Sequence, residues 1–192
     1  MKDIILIGGG GHCKSVIDVI EQEGQFKIAG IVDKPEFLGS DILGYSVIGN
    51  DSDLGILVKK YKYALVTVGQ IKSPILRMKL FELAKKSGFI LPNIISPRAY
   101  ISKYTTVGKG TIIMHDVLIN ADAQIGENCI INSKALIEHD CSISNHCHIS
   151  TSATINGGVI VKSGSFIGSG VTTKESIIIG KNSFIKAGSL VT

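Results

Sequence analysis

From Ile101 onward the apolar positions recur every six residues. An aliphatic side chain opens nearly every hexad: Val107, Ile113, Ile119, Ile125, Ile131, Ile137, Ile143, Ile149, Ile155, Val161 and Ile167. Thr173 interrupts the series, and Ile179, Ile185 and Val191 resume it in phase. Four residues after each opener stands a small or modest side chain, as at Thr105, Thr111, Val117, Ala123, Cys129, Ala135, Cys141, Cys147, Ala153, Val159 and Ser165. A period of six kept over about fifteen units is neither the helical 3.6 nor the strand alternation of two. It predicts a solenoid in which each short strand stacks on the one a coil below. Polar Lys174 and Glu175 after Thr173 predict an outward bulge of one coil.

The first 90 residues alternate differently. Ile4 to Ile7 is a short apolar run, followed by Gly8-Gly9-Gly10-Gly11-His12. Val16, Ile17, Val19 and Ile20 then mark a helical stripe, with Gly24 beyond its end. This is strand, glycine turn, helix. Ile28 to Val32 reads as a second strand ending at Asp33. Asp51 or Ser52 caps a short helix through Lys59, and Tyr63 to Val68 is a third strand. Ser73-Pro74 starts a helix whose face carries Leu76, Leu80, Leu83 and Ala84, and Gly88 stops it. Alternating strand and helix implies a small parallel sheet with right-handed crossovers. Residues 1–90 are thus expected to form an α/β, Rossmann-like domain, and 91–192 the solenoid.

The glycine loop is not a complete dinucleotide fingerprint. With Gly8 and Gly10 as the first two glycines, the third falls on Cys13, although an acid, Asp33, follows at roughly the distance of a ribose contact. Backbone N–H groups in such a turn can approach phosphate at a helix N-terminus. The loop therefore reads as a half-sized nucleotide-diphosphate site rather than an NAD site, against the plainer reading of a tight turn. His12 either contacts phosphate or sugar or merely opens the helix, and the contact is the favoured reading.

Composition narrows the classes. A chain of 192 residues with 44% hydrophobic content can build real cores. The net charge of +4 comes without a basic block or arm, which argues against a nucleic-acid partner. No apolar run approaches the about 18 to 20 residues of a membrane span, and Met1 to Ile7 is too short for a signal segment. No membrane partner is expected, and the cytoplasm is the expected location. Cys129, Cys141 and Cys147 fall on the small fifth position and read as core fillers. A metal site from Cys141, Cys147 and His146 is the weaker alternative, since no CxxC pair supports it. No metal is expected.

The combination of Gly8 to His12, the Ile-Val-Asp ending at Asp33, and Ile137-Glu138-His139-Asp140 resembles the bacterial sugar acyltransferases of the sialic-acid O-acetyltransferase type. Within that family it is most similar to the N-acetyltransferases of nucleotide-linked 4-amino-sugars, and the likeness covers essentially the whole chain. The resemblance implies a left-handed parallel β-helix of three hexads per coil after the Rossmann-like domain. It implies homotrimers with active sites between subunits and acetyl-CoA along the helix groove. It makes His139 the general base and Asp140 its acidic helper, and places His148, Ser169 and Ala187 at acetyl-CoA. Gly10, Gly11, His12, Asp33 and Gly69 match positions around the nucleotide, with Lys34 where relatives can carry a second acid. Relatives also continue past a point such as Thr192 into a capping tail that helps hold CoA. The implied activity is N-acetylation of a UDP- or GDP-linked 4-amino-sugar in surface-glycan or nonulosonic-acid synthesis; the alternative is O-acetylation of sialic acid or a related sugar.

The chemistry is coherent without the family. Acetyl transfer from a thioester needs a deprotonated nucleophile, an oxyanion donor and a slot for a long cofactor. Histidine suits proton abstraction at neutral pH, and an adjacent carboxylate orients and favours its charged form. On residues alone, a solvent-facing corner is the favoured reading of His139, and His115 and His146 read as surface groups. With three hexads per turn, residues eighteen apart stack about 4.8 Å away. Gly157 then lies over His139 and becomes the candidate oxyanion donor, while Phe166 lies over His148, as a wall of the cofactor slot or as a core aromatic. A non-enzymatic scaffold would leave His139 dispensable and give no reason for Gly8 to Gly11.

Overall fold

The apolar run near the N-terminus becomes a strand buried on both faces: β1 (Lys2–Ile7) has Ile4, Ile5, Leu6 and Ile7 sealed from solvent. It lies between two parallel neighbours, β2 (Phe26–Val32) and β5 (Tyr63–Val66), in a sheet that also holds β3 (Asp41–Ile42) and β4 (Tyr45–Gly49), in the order β3-β4-β2-β1-β5. Residues 1–192 are described by this computed structural model and fall into two units, Met1–Gly69 with Ile75–Pro92, and Gln70–Pro74 with Asn93–Thr192. No helix in either is long and apolar enough to cross a membrane.

In the first unit, α1 (Gly11–Glu23) buries Val16, Ile17, Val19 and Ile20 as the stripe predicts, and Gly24 closes it in the left-handed conformation. One element is added here and two expectations are corrected. A hairpin of β3 (Asp41–Ile42) and β4 (Tyr45–Gly49) extends the sheet, with β4 parallel to β2. Its turn carries positive φ at Leu43 and Gly44, and Asp41 Oδ1 accepts the Gly44 N–H at 2.8 Å, so an Asx-type bond replaces the usual Asn-Gly signal. A 3-10 turn, Asp51–Asp53, leads into the short helix α2 (Leu54–Leu57), and its cap is Asn50, reciprocally bonded with Asp53, not Asp51 or Ser52. In α3 (Ile75–Ser87) the buried face is Arg77, Leu80, Phe81 and Ala84, while Leu76 is exposed. Arg77 is inside because its guanidinium donates to the Val66 and Val68 carbonyls at 2.8 and 2.7 Å, at the end of β5.

In the second unit, successive two-residue strands visit three parallel sheets in turn, so residues eighteen apart are paired. The first face holds Tyr100–Ile101, Leu118–Ile119, Leu136–Ile137, Thr154–Ile155, Thr172–Thr173 and Leu190–Val191. The second holds the strands from Thr106–Val107 to Ile178–Ile179, and the third those from Ile94–Ile95 to Phe184–Ile185. Openers and fifth-position residues together make one core, in which Ile137, Cys141, Cys147, Ala153, Ile155 and Val159 are sealed. The fourth residue of every hexad from Gly110 to Gly188 has a positive φ, the corner that lets the chain change face. Gly, Asp and Asn predominate there because they tolerate that region best.

There is no bulge at Thr173. Its strand pairs in register with Leu190–Val191, and its side chain, 1% exposed, occupies the opener's inward place. A hydroxyl fits there because it finds a partner, the Asn156 N–H at 2.9 Å.

Candidate active site

The corner between the first and second faces stacks Ala121, His139, Gly157 and Glu175, tied by Asp140 N–H to Ala121 O, Gly158 N–H to His139 O and Ser176 N–H to Gly157 O. Asp140 occupies the fourth position with φ 61°, and this backbone returns its carboxylate to the preceding side chain. His139 Nδ1 lies 2.6 Å from Asp140 Oδ2. A carboxylate can only accept, so Nδ1 carries the proton and Nε2 keeps its lone pair. The Asp140 hydrogen bond and charge hold the imidazole's pKa above the ordinary histidine value, and Glu138 adds to this. Both side chains are well exposed, His139 by 64%.

Directly above lies Gly157, and with the imidazole in this position there is no room for a side chain on it. A Cβ there would stand 2.9 Å from both Cε1 and Nε2 of His139. The Gly157 N–H donates to nothing within the chain, because this corner's ladder uses its carbonyl and the neighbouring N–H instead. The surrounding pocket, of about 610 Å³, is lined by Glu138, His139, Asp140, Asn156, Gly157, Gly158, Glu175 and Ser176. His139, Asp140 and Gly157 are thus brought together.

The residues expected at acetyl-CoA lie elsewhere on the prism. Ser169 and Ala187 stack with Thr151 on the corner between the third and first faces, with Gly188 N–H bonded to Ser169 O. Both are exposed, and Ser150 and Ser169 share a hydroxyl hydrogen bond of 2.9 Å. Gly168 is held to glycine by Ala187, whose backbone N would sit 2.5 Å from a Cβ. His148 points out from the third face but is only 6% exposed. Its Nδ1 donates to Gln70 O at 2.5 Å, and its Nε2 accepts from Asn132 Nδ2 at 3.3 Å. Phe166 meets His148 edge-on at 5.2 Å, and Phe184 stacks on Phe166. The edge bearing His139 and the edge bearing Ser169 and Ala187 are the two that bound the first face, and one chain does not bring them together. His115 and His146 are half-buried and bonded to Ser96 and Asn128, not free surface groups.

In the first unit the glycine loop is built around Asp33. Its Oδ2 accepts the Gly9 N–H at 2.6 Å and its Oδ1 the Lys34 N–H at 2.7 Å. Gly8 has φ 104°, and a Cβ there would strike Val68. Around Gly10 and Gly11, by contrast, a Cβ meets nothing within 4 Å, so the start of α1 is open, and no side chain caps its first N–H groups. His12 lies beside Gly69, with Cβ-to-Cβ spacing of 3.6 Å for a side chain built there. Cys13 is sealed between α1 and the sheet, where the third glycine of a full fingerprint serves close packing. Burial pushes its thiol up to about 11. Asp33 lines two pockets. One, of about 340 Å³, includes Gly9, Gly10, Lys14 and Ile42; the other, of about 230 Å³, includes Lys34, Asn50, Asp51 and Val68. Lys34 is exposed and 3.9 Å from Glu36.

Two residues at these sites were not singled out from the sequence. Lys14 had a readable signal: a cation in a helix's first turn opposes the macrodipole, which suggests an anion nearby. Asn156 had none, since second positions of hexads vary freely.

Two family models match: the PglD N-terminal domain over residues 3–82, and the bacterial transferase hexapeptide (six repeats) over residues 104–139. A comparison with curated protein sequences finds no match. Among solved structures, perosamine N-acetyltransferase from Caulobacter crescentus, a histidine-to-asparagine mutant in complex with CoA and GDP-perosamine, is 34% identical. It matches 100% of this chain and 89% of that one with a TM-score of 0.94. The acetyltransferase domain of PglB from Neisseria gonorrhoeae is 27% identical over 100% of this chain and 92% of that one, with a TM-score of 0.92. The same domain in complex with acetyl coenzyme A matches at 27% identity over 98% and 95%, with a TM-score of 0.71. The fold is accordingly an α/β Rossmann-like domain followed by a left-handed parallel β-helix. The chain belongs to the hexapeptide-repeat sugar acyltransferases.

Proposed function

We propose that this enzyme transfers the acetyl group of acetyl-CoA to the 4-amino group of a UDP- or GDP-linked amino-sugar, in bacterial surface-glycan or nonulosonic-acid synthesis. The observation that carries the reading is the His139–Asp140 pair at 2.6 Å beneath Gly157. His139 Nε2 takes a proton from the attacking amine as its nitrogen bonds to the thioester carbonyl carbon. The carbonyl electrons move onto oxygen, and the Gly157 N–H donates to that oxyanion. Collapse breaks the C–S bond, and the leaving thiolate recovers the proton from the imidazolium. The products are an amide and CoA thiol.

The first unit supplies the nucleotide site in this reading. The open start of α1 at Gly10 and Gly11, with His12 and Lys14, suits a diphosphate, and Asp33, Lys34 and Gly69 lie around it. Asp33 spends both oxygens on the Gly9 and Lys34 N–H groups, so its task is to shape the loop as well as to meet the ligand. Ser169 and Ala187 line the CoA track, and His148, locked by Gln70 and Asn132, holds its wall. The separation of that track from His139 within one chain favours a homotrimer whose sites join the edges of two subunits. The relatives' complexes with CoA, acetyl coenzyme A and GDP-perosamine support the cosubstrate and the acceptor class.

Thiol release from acetyl-CoA tests the reading, with UDP- and GDP-linked 4-amino-sugars and free sialic acid as acceptors. Wild type is expected to turn over one nucleotide-linked amine, and His139→Ala to lose about 10²- to 10⁴-fold in kcat. Release with sialic acid alone would replace the N-acetyl reading with the O-acetyl one.

A further inference from the structure

One rung of the β-helix ladder differs from all the others, and it lies against the base. Elsewhere the residue after a hexad opener donates its N–H to the opener's carbonyl one coil on. On the first face these bonds run from Asn120 to Ile137, Glu138 to Ile155 and Lys174 to Val191. Asn156 alone donates to a side chain, Thr173 Oγ1 at 2.9 Å. The Thr173 carbonyl, released from the ladder, accepts instead from the Asn156 carboxamide Nδ2 at 2.6 Å. The strand pairing of this coil contracts to Thr154 with Thr172, where its neighbours pair two residues.

Thr173 is the polar opener in an otherwise aliphatic series, and it sits in the core. Packing alone gives no reason for a hydroxyl there. Its two bonds both go to the residue that precedes Gly157 and shares the pocket with His139. With Nδ2 committed to a carbonyl, the amide's orientation is fixed. Its Oδ1 accepts nothing from the chain and is not sealed from solvent.

We propose that Thr173 is a positioning residue for acyl transfer: it holds the Asn156–Gly157 segment so that the Gly157 N–H and the Asn156 carboxamide oxygen both meet the reacting centre beside His139. The inference rests on the N-acetyl reading and adds a reason for amine selectivity. A neutral amine has two hydrogens. His139 takes one, and Asn156 Oδ1 accepts the other and orients the lone pair toward the thioester. A hydroxyl has one hydrogen, which the base removes, so the carboxamide oxygen then faces an oxygen with nothing to donate.

The test uses the full-length enzyme with the nucleotide-linked 4-amino-sugar that wild type consumes, and its 4-hydroxy counterpart. Thr173→Val restores the aliphatic series, so its thermal midpoint is expected to hold or rise while kcat falls about ten- to a hundredfold. KM for acetyl-CoA is expected to stay within about twofold, because the loss is confined to the transition state. Thr173→Ser, which keeps the hydroxyl, recovers most of the turnover. Asn156→Leu narrows the preference for the amine over the hydroxyl acceptor. Unchanged kcat in Thr173→Val, or a fall that Ser does not rescue and that tracks a lowered midpoint, overturns the proposal, as does an unaltered preference in Asn156→Leu. Wild type that acetylates no amine overturns the functional reading, and this proposal with it.

Discussion

At Asp140 a backbone angle determines what a side chain can do. The solenoid needs a positive φ at the fourth place of each hexad, and Asp is one of the few residues that accepts it at small cost. That same angle points the carboxylate back at His139. Asp140→Asn keeps the shape and the tolerance but removes the charge. The wild-type imidazole has a raised pKa, so its free-base form appears only as pH climbs through that raised value. In the variant the pKa falls toward the ordinary value. The acid limb of kcat/KM should therefore move to lower pH while the plateau drops, the base being weaker; a pH–rate profile of both proteins shows it. The resemblance picked out His139 and Asp140, and a period of six, folded in threes, placed Gly157 over His139 by arithmetic. The roles of Thr173, Asn156 and Arg77 were not legible. Each is a polar group whose place depends on one carbonyl or N–H brought close by the fold, and no periodicity encodes that. Thr173 even misled, since a polar opener reads as a break until its partner is seen.

Elements differ in the same way. The β-helix repeats one packing solution, so a single rule predicts its strands, its core and its corners. The first unit is assembled from unlike pieces, and its hairpin at Asp41–Gly49 escaped notice because a Leu-Gly turn lacks the usual chemistry. Its α1 was plain in the apolar stripe, yet the informative residue stands on the polar side. Lys14 in the first turn works against the helix dipole, at a cost of about 0.3–1 kcal/mol for an exposed cation. Lys14→Ala is accordingly expected to leave the thermal midpoint unchanged or slightly higher. It should raise KM for the nucleotide-sugar while leaving KM for acetyl-CoA alone. A loss of midpoint without a change in either KM would instead make Lys14 a packing residue.

For the whole molecule the question is how two edges of one prism can serve one reaction. His139 lies on the corner leaving the first face, and Ser169 and Ala187 on the corner entering it. Acetyl-CoA bound along the second corner of one subunit reaches the base of another if copies associate around a threefold axis with their first faces turned toward it. The exposed apolar residues Tyr100, Leu118 and Leu190 on that face favour such contact. Complementation separates this from a site within one chain. His139→Ala lacks a base, and Ala187→Trp blocks the cofactor track, so each alone should be inactive. If the sites are shared, subunits mixed at equal amounts and allowed to exchange place an intact base beside an intact track at one contact in four. Activity should then return to about a quarter of the wild-type rate in a cyclic assembly. If each chain works alone, every site carries one lesion, and mixing restores nothing.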